Sequence, residues 1–206
     1  MKKTVLLIAA IFCTWSVLGQ EQGVLEAFAR TLSSGEVRFK YGFEVKGDLP
    51  LKGSGAASLC GNAYHIIGNE MEIWCDGQTR WTIDRNTREA YIETVEQESA
   101  DYLTNPVALL SSLTRAFEIG TVSDVTLGGK KLQSIRMSPS IAETGLKDVT
   151  LYLNGAVPER VIITVEDGTQ TLFKISGYTV QEKSDVSAFA FDIASLGPDY
   201  VVTDLR

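Results

Sequence analysis

Alternation of apolar and polar residues is clearest between positions 36 and 46. Val37, Phe39, Tyr41, Phe43 and Val45 alternate there with residues that are mostly charged. A period of two predicts a β-strand with one apolar face and one polar face. Two interpretations of the apolar face are open. The rings either pack against a covering helix in a filled core, or line a cavity.

Short runs rich in β-branched and aromatic residues continue the strand pattern from Ala63 to Ile92. Turn residues divide this stretch at Gly68-Asn69, Asp76-Gly77 and Arg85-Asn86-Thr87, which predicts a series of antiparallel hairpins. Further turn signals recur at regular intervals from Thr121 onward. Small residues crowd the preceding strand, Leu51–Cys60, and glycines inside a strand favour bends and strong curvature. The pattern predicts one large antiparallel sheet.

Two segments show helical periodicity instead. In Glu21–Ser33 the apolar residues Val24, Leu25, Phe28 and Leu32 trace one stripe of a helix. The second segment begins with Asn105 as N-cap and Pro106 in the first turn, a strong start signal. Its apolar residues at helical spacing are Val107, Leu110, Leu113 and Phe117. Each stripe predicts a helix that covers the sheet.

The first residues have the features of a secretory signal peptide. Lys2 and Lys3 precede an apolar run, Val5 to Phe12, which is too short to span a bilayer comfortably, and small residues follow up to Gly19. We therefore divide the chain into a signal peptide, residues 1–19, and a single domain, residues 20–206. No cysteine follows the predicted cleavage site directly, so we expect an exported, soluble chain without a lipid anchor of its own.

Charge and cysteine content narrow the classes of partner. The formal net charge is −7, cleavage would remove two lysines, and lysine and arginine form no cluster, so we expect no binding to nucleic acid. We also expect the protein to be a monomer. An oxidising compartment favours a disulfide between Cys60 and Cys75. The predicted hairpins argue against it, because they place the two residues about 10 Å apart, beyond the ~7 Å that a bridge allows. Both alternatives stay open, and either role is structural.

Catalytic patterns are not apparent in the sequence. His65 is the one histidine, so a histidine-rich zinc site is excluded, and no nucleophile elbow or glycine-rich phosphate loop is present. We interpret His65 as a surface or rim residue. The sequence therefore predicts a protein that is not an enzyme and that needs no cofactor or metal.

Three short motifs resemble one known family. The run I-W-C-D-G-Q-T-R-W-T-I-D, residues 73–84, is similar to the hairpin "(V/I)-x-x-D-G-K-T-x-W-x-Y" of LolA-type lipoprotein carriers of the Gram-negative periplasm. Asn105-Pro106-Val107-Ala108-Leu109-Leu110 resembles that family's "N-P-x-x-L-L". The segments 189–192 and 197–204 resemble its closing "F-x-F-x-P-P-x-G-V-x-V-x-D". The motifs are collinear over most of the chain.

The resemblance implies an unclosed, strongly curved half β-barrel covered by amphipathic lid helices, and a periplasmic chaperone that carries lipoproteins. Its expected partners are acylated lipoproteins, an inner-membrane ABC-type exporter that releases them, and an acceptor at the outer membrane. The family commonly has a basic residue near the turn at Gly61-Asn62, and this chain has none there. How cargo would be released without that residue is left open.

The candidate lipid-binding residues combine the alternation pattern with these motifs. From the sheet they are Val37, Phe39, Tyr41, Phe43, Val45, Ile66, Ile73, Trp81 and Ile83, and from the lid they are Leu25, Phe28, Leu109, Leu110 and Leu113. Two other functions fit the same pattern. One is a sensor or adaptor that detects lipid or lipoprotein but moves nothing, and the other is a structural module with a filled core.

Overall fold

The computed structural model describes residues 15–48, 50–68, 70–95, 109–110, 112–113, 115–140 and 145–206, with the backbone alone for 15–22. The first described element is helix α1 (Trp15–Ser34). The strands that follow are β1 (Glu36–Lys46), β2 (Leu51–Cys60), β3 (Ala63–Gly68), β4 (Met71–Cys75), β5 (Thr79–Asp84), β6 (Glu89–Thr94), β7 (Phe117–Leu127), β8 (Lys130–Pro139), β9 (Leu146–Asn154), β10 (Val157–Val165), β11 (Gln170–Gln181) and β12 (Val201–Asp204). Two short 3₁₀ turns, Val186–Phe189 and Ile193–Ser195, lie between β11 and β12.

The twelve strands found in the described residues form one open, curved sheet. Its order is β12-β6-β5-β4-β3-β2-β1-β11-β10-β9-β8-β7, so β12 and β7 are the edges. The predicted single unclosed sheet with covering helices is confirmed. One pairing departs from the antiparallel expectation, because β12 runs parallel to β6. The 3₁₀ turns carry the chain back before β12 begins, so a hairpin is not the connection here.

The hairpin turns at Asp76-Gly77 and after Asp84 lie where the sequence predicts them, whereas Asn69 of the first predicted turn lies outside the described residues. Gly77 has a φ of 95°, which glycine adopts without strain, and the Asp76 carboxylate accepts hydrogen bonds from the backbone N–H groups of Gln78 and Thr79 at 2.9 and 2.8 Å. Asp84 closes the next turn in the same way. Short-range chemistry therefore fixes the registers of β4, β5 and β6.

Helix α1 ends where the sequence predicts but starts earlier, at Trp15. In the second predicted helix, Leu109, Leu110 and Ser112 are helical, whereas positions 105–108 lie outside the described residues. The expectation that Phe117 belongs to this helix is wrong. Phe117 begins β7, where it pairs with Pro139 and is buried. Sheet pairing and burial at this position outweigh the helical spacing.

The largest core cluster lies between the helices and the β7–β10 end of the sheet. Leu25 and Phe28 from α1 and Leu109 and Leu113 from the second helical segment pack against that part of the sheet. The sheet residues of this cluster are Phe117, Ile135, Met137, Leu146, Val149, Leu151, Leu153 and Val161. The concave face is thus filled at one end, and its centre, β1 and β11, lies beside this core.

Candidate ligand cavity

Aromatic rings from two paired strands form the centre of the concave face. Tyr41 and Phe43 of β1 lie opposite Ile175 and Phe173 of β11. The Phe173 ring centroid is 6.1 Å from that of Tyr41 and 6.2 Å from that of Phe43, distances typical of favourable aromatic pairs. These rings are only partly buried. They therefore line an open space and do not belong to the filled core.

That space is a cavity of about 380 Å³, within the range of about 300–1,000 Å³ typical of small-molecule sites. Apart from Thr171 and the hydroxyls of two tyrosines, its lining is apolar. The lining residues are Phe28, Leu32, Phe39, Tyr41, Phe43, Val45, Ala57, Leu59, Ile66, Ile73, Leu109, Leu110, Pro158, Val161, Ile163, Thr171, Phe173, Ile175 and Tyr178. Such a surface suits a hydrocarbon chain and offers few polar groups to a polar ligand.

Small residues in β2 make room for the rings of β1. A Cβ on Gly55 would lie 2.0 Å from the Ile67 carbonyl oxygen and 2.6 Å from the Tyr41 hydroxyl. The Tyr41 hydroxyl donates a hydrogen bond to that same carbonyl at 3.4 Å. Burial raises the pKa of Tyr41 above its ordinary value, so this hydroxyl stays protonated. The glycines of β2 thus allow Tyr41 to lie flat along the cavity wall.

The structure brings nine of the candidate residues together around this cavity. They are Phe28, Phe39, Tyr41, Phe43, Val45, Ile66, Ile73, Leu109 and Leu110. Leu25, Val37 and Leu113 are buried and do not line it, so their assignment to the cavity is corrected.

Sequence reasoning misses the lining residues of β10 and β11, chiefly Val161, Ile163, Phe173 and Ile175. Their alternation is visible in the sequence. Only the long-range pairing of β1 with β11, however, places Phe173 and Ile175 opposite the aromatic rings of β1.

The expectation that Trp81 and Ile83 line the cavity is corrected by the strand register. Trp81 pairs with Trp74, and Ile83 with Glu72, whereas Ile73 pairs with Thr82. Neighbouring residues in a strand point to opposite faces. Trp81 and Ile83 therefore lie on the outer face. There they pack with Ala90 and Ile92 under a cover from the C-terminal segment, whose residues are Phe191, Ile193, Leu196 and Tyr200.

A buried carboxylate organises the polar part of this outer face. Glu72 accepts a hydrogen bond from Arg85 and contacts His65 Nε2 and Trp74 Nε1 at 2.9 Å each. Desolvation alone would raise the pKa of Glu72, but these three partners outweigh it and hold the pKa below its ordinary value. The His65 ring stacks on Trp74 with centroids 3.5 Å apart. His65 is thus mostly enclosed, with 18% of its side chain exposed, which corrects its interpretation as a surface or rim residue.

Cys60 and Cys75 are both free thiols and buried. Cys60 pairs with Ala63, whereas Cys75 pairs with Tyr64, the next residue of β3, so the two thiols lie on opposite faces of the sheet. Cys60 is covered by Phe189, and Cys75 packs with Ala57 and Leu59 on the cavity side. The structure therefore agrees with the argument from hairpin spacing, which places the two cysteines too far apart for a disulfide, and not with the argument from an oxidising compartment.

Within the described part of the chain, His, Cys, Asp and Glu side chains form no group suited to hold a metal ion. In that same part, every helix is too short or too polar to cross a membrane.

Comparison with solved structures finds proteins that align over most of this chain. An uncharacterized conserved protein from Thermus thermophilus aligns over 90% of this chain and 99% of its own, with a TM-score of 0.56 and 10% identity. A LolA superfamily protein from Nitrosomonas europaea aligns over 82% of this chain and 97% of its own, with a TM-score of 0.46 and 10% identity. MucB of Pseudomonas aeruginosa, in complex with MucA, aligns over 83% of this chain and 60% of its own, with a TM-score of 0.42 and 10% identity. At such identities the first likeness establishes the fold alone.

No protein with a curated functional description matches the chain. The sequence model of the outer membrane lipoprotein carrier protein LolA, in contrast, matches residues 68–192, which is more than half of the chain. The matched region contains the Asp76-Gly77 hairpin, the Asn105-Pro106 motif and the strands of the filled core. The chain therefore belongs to the LolA family of outer membrane lipoprotein carrier proteins.

Proposed function

We propose that this protein is a periplasmic carrier that shields the acyl chains of lipoproteins on their way from the inner to the outer membrane. The observation that supports this most directly is the apolar cavity on the concave face, beside a core that is already filled. Membership of the LolA family supports the same function.

The physical need for such a shield follows from the hydrophobic effect. Each CH₂ group moved from water to an apolar site contributes about 0.8 kcal/mol, so a bare acyl chain does not cross an aqueous compartment at a useful rate. Phe39, Tyr41 and Phe43 offer a wall against which such a chain packs. The lid residues Phe28, Leu109 and Leu110 close it from the other side.

The cellular setting completes the proposal. Residues 1–19 would direct export and be removed, which leaves the acidic domain in the periplasm as a monomer. An inner-membrane ABC-type exporter would load the carrier with an acylated lipoprotein, and a protein or the membrane itself would accept the cargo at the outer membrane. No catalytic group is needed, because loading and unloading only move the chains between apolar environments.

Lipoprotein release from membranes tests the proposal. Inner-membrane vesicles that contain the exporter and a labelled triacylated lipoprotein are incubated with ATP and the mature protein, and soluble one-to-one complexes are isolated. Uptake of a dye that fluoresces in apolar surroundings is measured in parallel. We expect Phe39→Glu to abolish both signals, because a carboxylate would then face the cavity.

Lys40→Glu is the matched control, since Lys40 is exposed on the opposite face of the same strand. It should retain dye uptake and complex formation. Dye uptake without any complex would contradict the carrier function and leave a lipid-binding sensor. If the unmodified protein shows neither dye uptake nor a soluble complex, lipid binding itself would be contradicted.

A further inference from the structure

A second cleft of about 600 Å³ adjoins the apolar cavity. It lies between α1, the turn at Gly61-Asn62 and the second helical segment. Leu32, Leu59 and Leu110 line both spaces. The cleft is therefore the mouth through which the cavity meets solvent at this end of the sheet.

The mouth carries positive charge that the described residues do not neutralise. Arg30 and Arg115 both line it, beside a single lining carboxylate, that of Glu26, and neither arginine forms an ion pair with any described residue. Elsewhere in the described chain six arginines do pair with a carboxylate: Arg38, Arg80, Arg85, Arg88, Arg136 and Arg206. Arg160 likewise forms no ion pair with a described residue, so the lack of pairing is not unusual by itself. What sets Arg30 and Arg115 apart is that both line the entrance to an apolar cavity in a chain with a net charge of −7.

A third cation lies next to the same turn. The Lys183 Nζ is 3.9 Å from the position that a Cβ on Gly61 would occupy, and Lys183 is exposed. Lys183 does not line the cleft itself, but its ammonium group lies beside the turn that does. Guanidinium groups at an opening favour phosphate and carboxylate groups, which arginine binds in a bidentate manner.

Inside the cavity, one polar atom also lacks a partner. The hydroxyl of Tyr178 is buried and accepts or donates no hydrogen bond among the described residues. Its ring stacks on Phe39, with centroids 6.5 Å apart. A buried hydroxyl without a partner is unfavourable, so a ligand oxygen near it would be stabilised.

We propose that the cavity and its mouth together bind acidic lipids, with the hydrocarbon chain among the aromatic rings and the phosphate or carboxylate between Arg30 and Arg115. In a phospholipid, whose acyl ester is separate from its phosphate, the ester oxygen then lies on the cavity side, where the Tyr178 hydroxyl can bind it. This inference rests on the lipid-binding cavity of the proposed function and adds a headgroup preference that acyl-chain shielding does not require.

Calorimetric titration of the mature protein with single-chain lipids below their micelle concentration tests it. Myristoyl lysophosphatidylglycerol is compared with myristoyl lysophosphatidylcholine, which adds a positive charge to the same phosphate. Myristate is compared with myristyl alcohol. The first pair of lipids thus tests recognition of a phosphate, and the second pair tests recognition of a carboxylate. Arg30 and Arg115 are both exposed, so each charge pair contributes little, and we expect each acidic lipid to bind about fivefold more tightly than its partner.

The double variant Arg30→Gln/Arg115→Gln should lose that preference and keep its affinity for the uncharged alcohol. The matched control, Lys131→Gln/Lys174→Gln, removes the same charge from exposed positions that line neither space and should retain the preference. The unmodified protein gives an independent readout, since the preference should shrink as salt concentration rises.

Equal binding of each acidic lipid and its electrically neutral partner, or a preference that is insensitive to salt and to the arginine variant, would overturn the headgroup site and leave the carrier proposal intact. Binding of none of the four lipids would overturn both.

Discussion

A single methyl group on β2 offers a sharp test of the cavity wall. In Gly55→Ala the added Cβ would lie 2.0 Å from the Ile67 carbonyl oxygen and 2.7 Å from Tyr41 Cζ. The carbonyl belongs to the backbone of β3, which pairs with β2 along this stretch, so the strain is not relieved by a rotamer change. Either β2 and β3 separate locally, or the Tyr41 ring is pushed into the cavity.

The expected change in the free energy of unfolding follows from these two responses. Overpacking of a tight site costs about 1–3 kcal/mol, and loss of a backbone or tyrosine hydrogen bond adds about 1 kcal/mol. Reduced freedom of the unfolded chain offsets about 0.4–1 kcal/mol. We therefore expect Gly55→Ala to lower the free energy of unfolding by about 2–3 kcal/mol. Uptake of an apolar dye should fall as well.

Gly42→Ala is the matched control on the neighbouring strand. Its added Cβ would meet only the Gly53 carbonyl oxygen at 3.8 Å, an ordinary contact. Urea unfolding followed by tryptophan fluorescence compares the two variants. With a urea dependence of about 1–3 kcal/mol per molar, the midpoint of Gly55→Ala should lie about 1 M below that of Gly42→Ala. Equal midpoints would refute the close approach of Tyr41 and β3 to Gly55.

Three further predictions concern the outer face and the thiols. Glu72→Gln should lower the free energy of unfolding by about 2 kcal/mol at neutral pH, because a charged acceptor of three hydrogen bonds is lost. Since the folded pKa of Glu72 is depressed, its contribution is complete above the ordinary carboxyl pKa and is lost as pH falls through the folded pKa, so the two proteins should converge in acid unfolding curves; a constant difference would contradict this. Phe189→Ala should destabilise the protein by about 3 kcal/mol and speed alkylation of Cys60 but not of Cys75, as followed by peptide mass spectrometry. Finally, both thiols should take up label in denaturant without a reductant, and labelling only after reduction would show a disulfide.

Local features of the sequence predict most of the secondary structure correctly. Asp76-Gly77 and the turn after Asp84 depend on contacts between residues two or three positions apart, so these hairpins need no tertiary information. The stripe of Leu25 and Phe28 likewise places the first helix on the sheet. The helical assignment of Phe117 is wrong because its strand partner, Pro139, is distant in sequence.

The assignment of residues to the cavity depends on how many faces of a strand are apolar. In β1 only one face is apolar, so alternation alone identifies Phe39, Tyr41 and Phe43. The hairpin of β4 and β5 carries apolar residues on both faces, Ile73 on one and Trp74 and Trp81 on the other, so the sequence pattern does not show which of them faces the cavity. Pairing decides between them, because Trp81 lies opposite Trp74 and under the C-terminal segment.

The sequence by itself therefore determined the sheet, its turns, its first covering helix and an excess of apolar surface, since these follow from periodicity and short-range hydrogen bonds. Only the tertiary structure decided that this surface leaves a cavity. The pairing of β1 with β11 and the filling of the β7–β10 end both depend on contacts between residues far apart in the chain. Such contacts are set by packing of the whole domain, which local patterns do not encode.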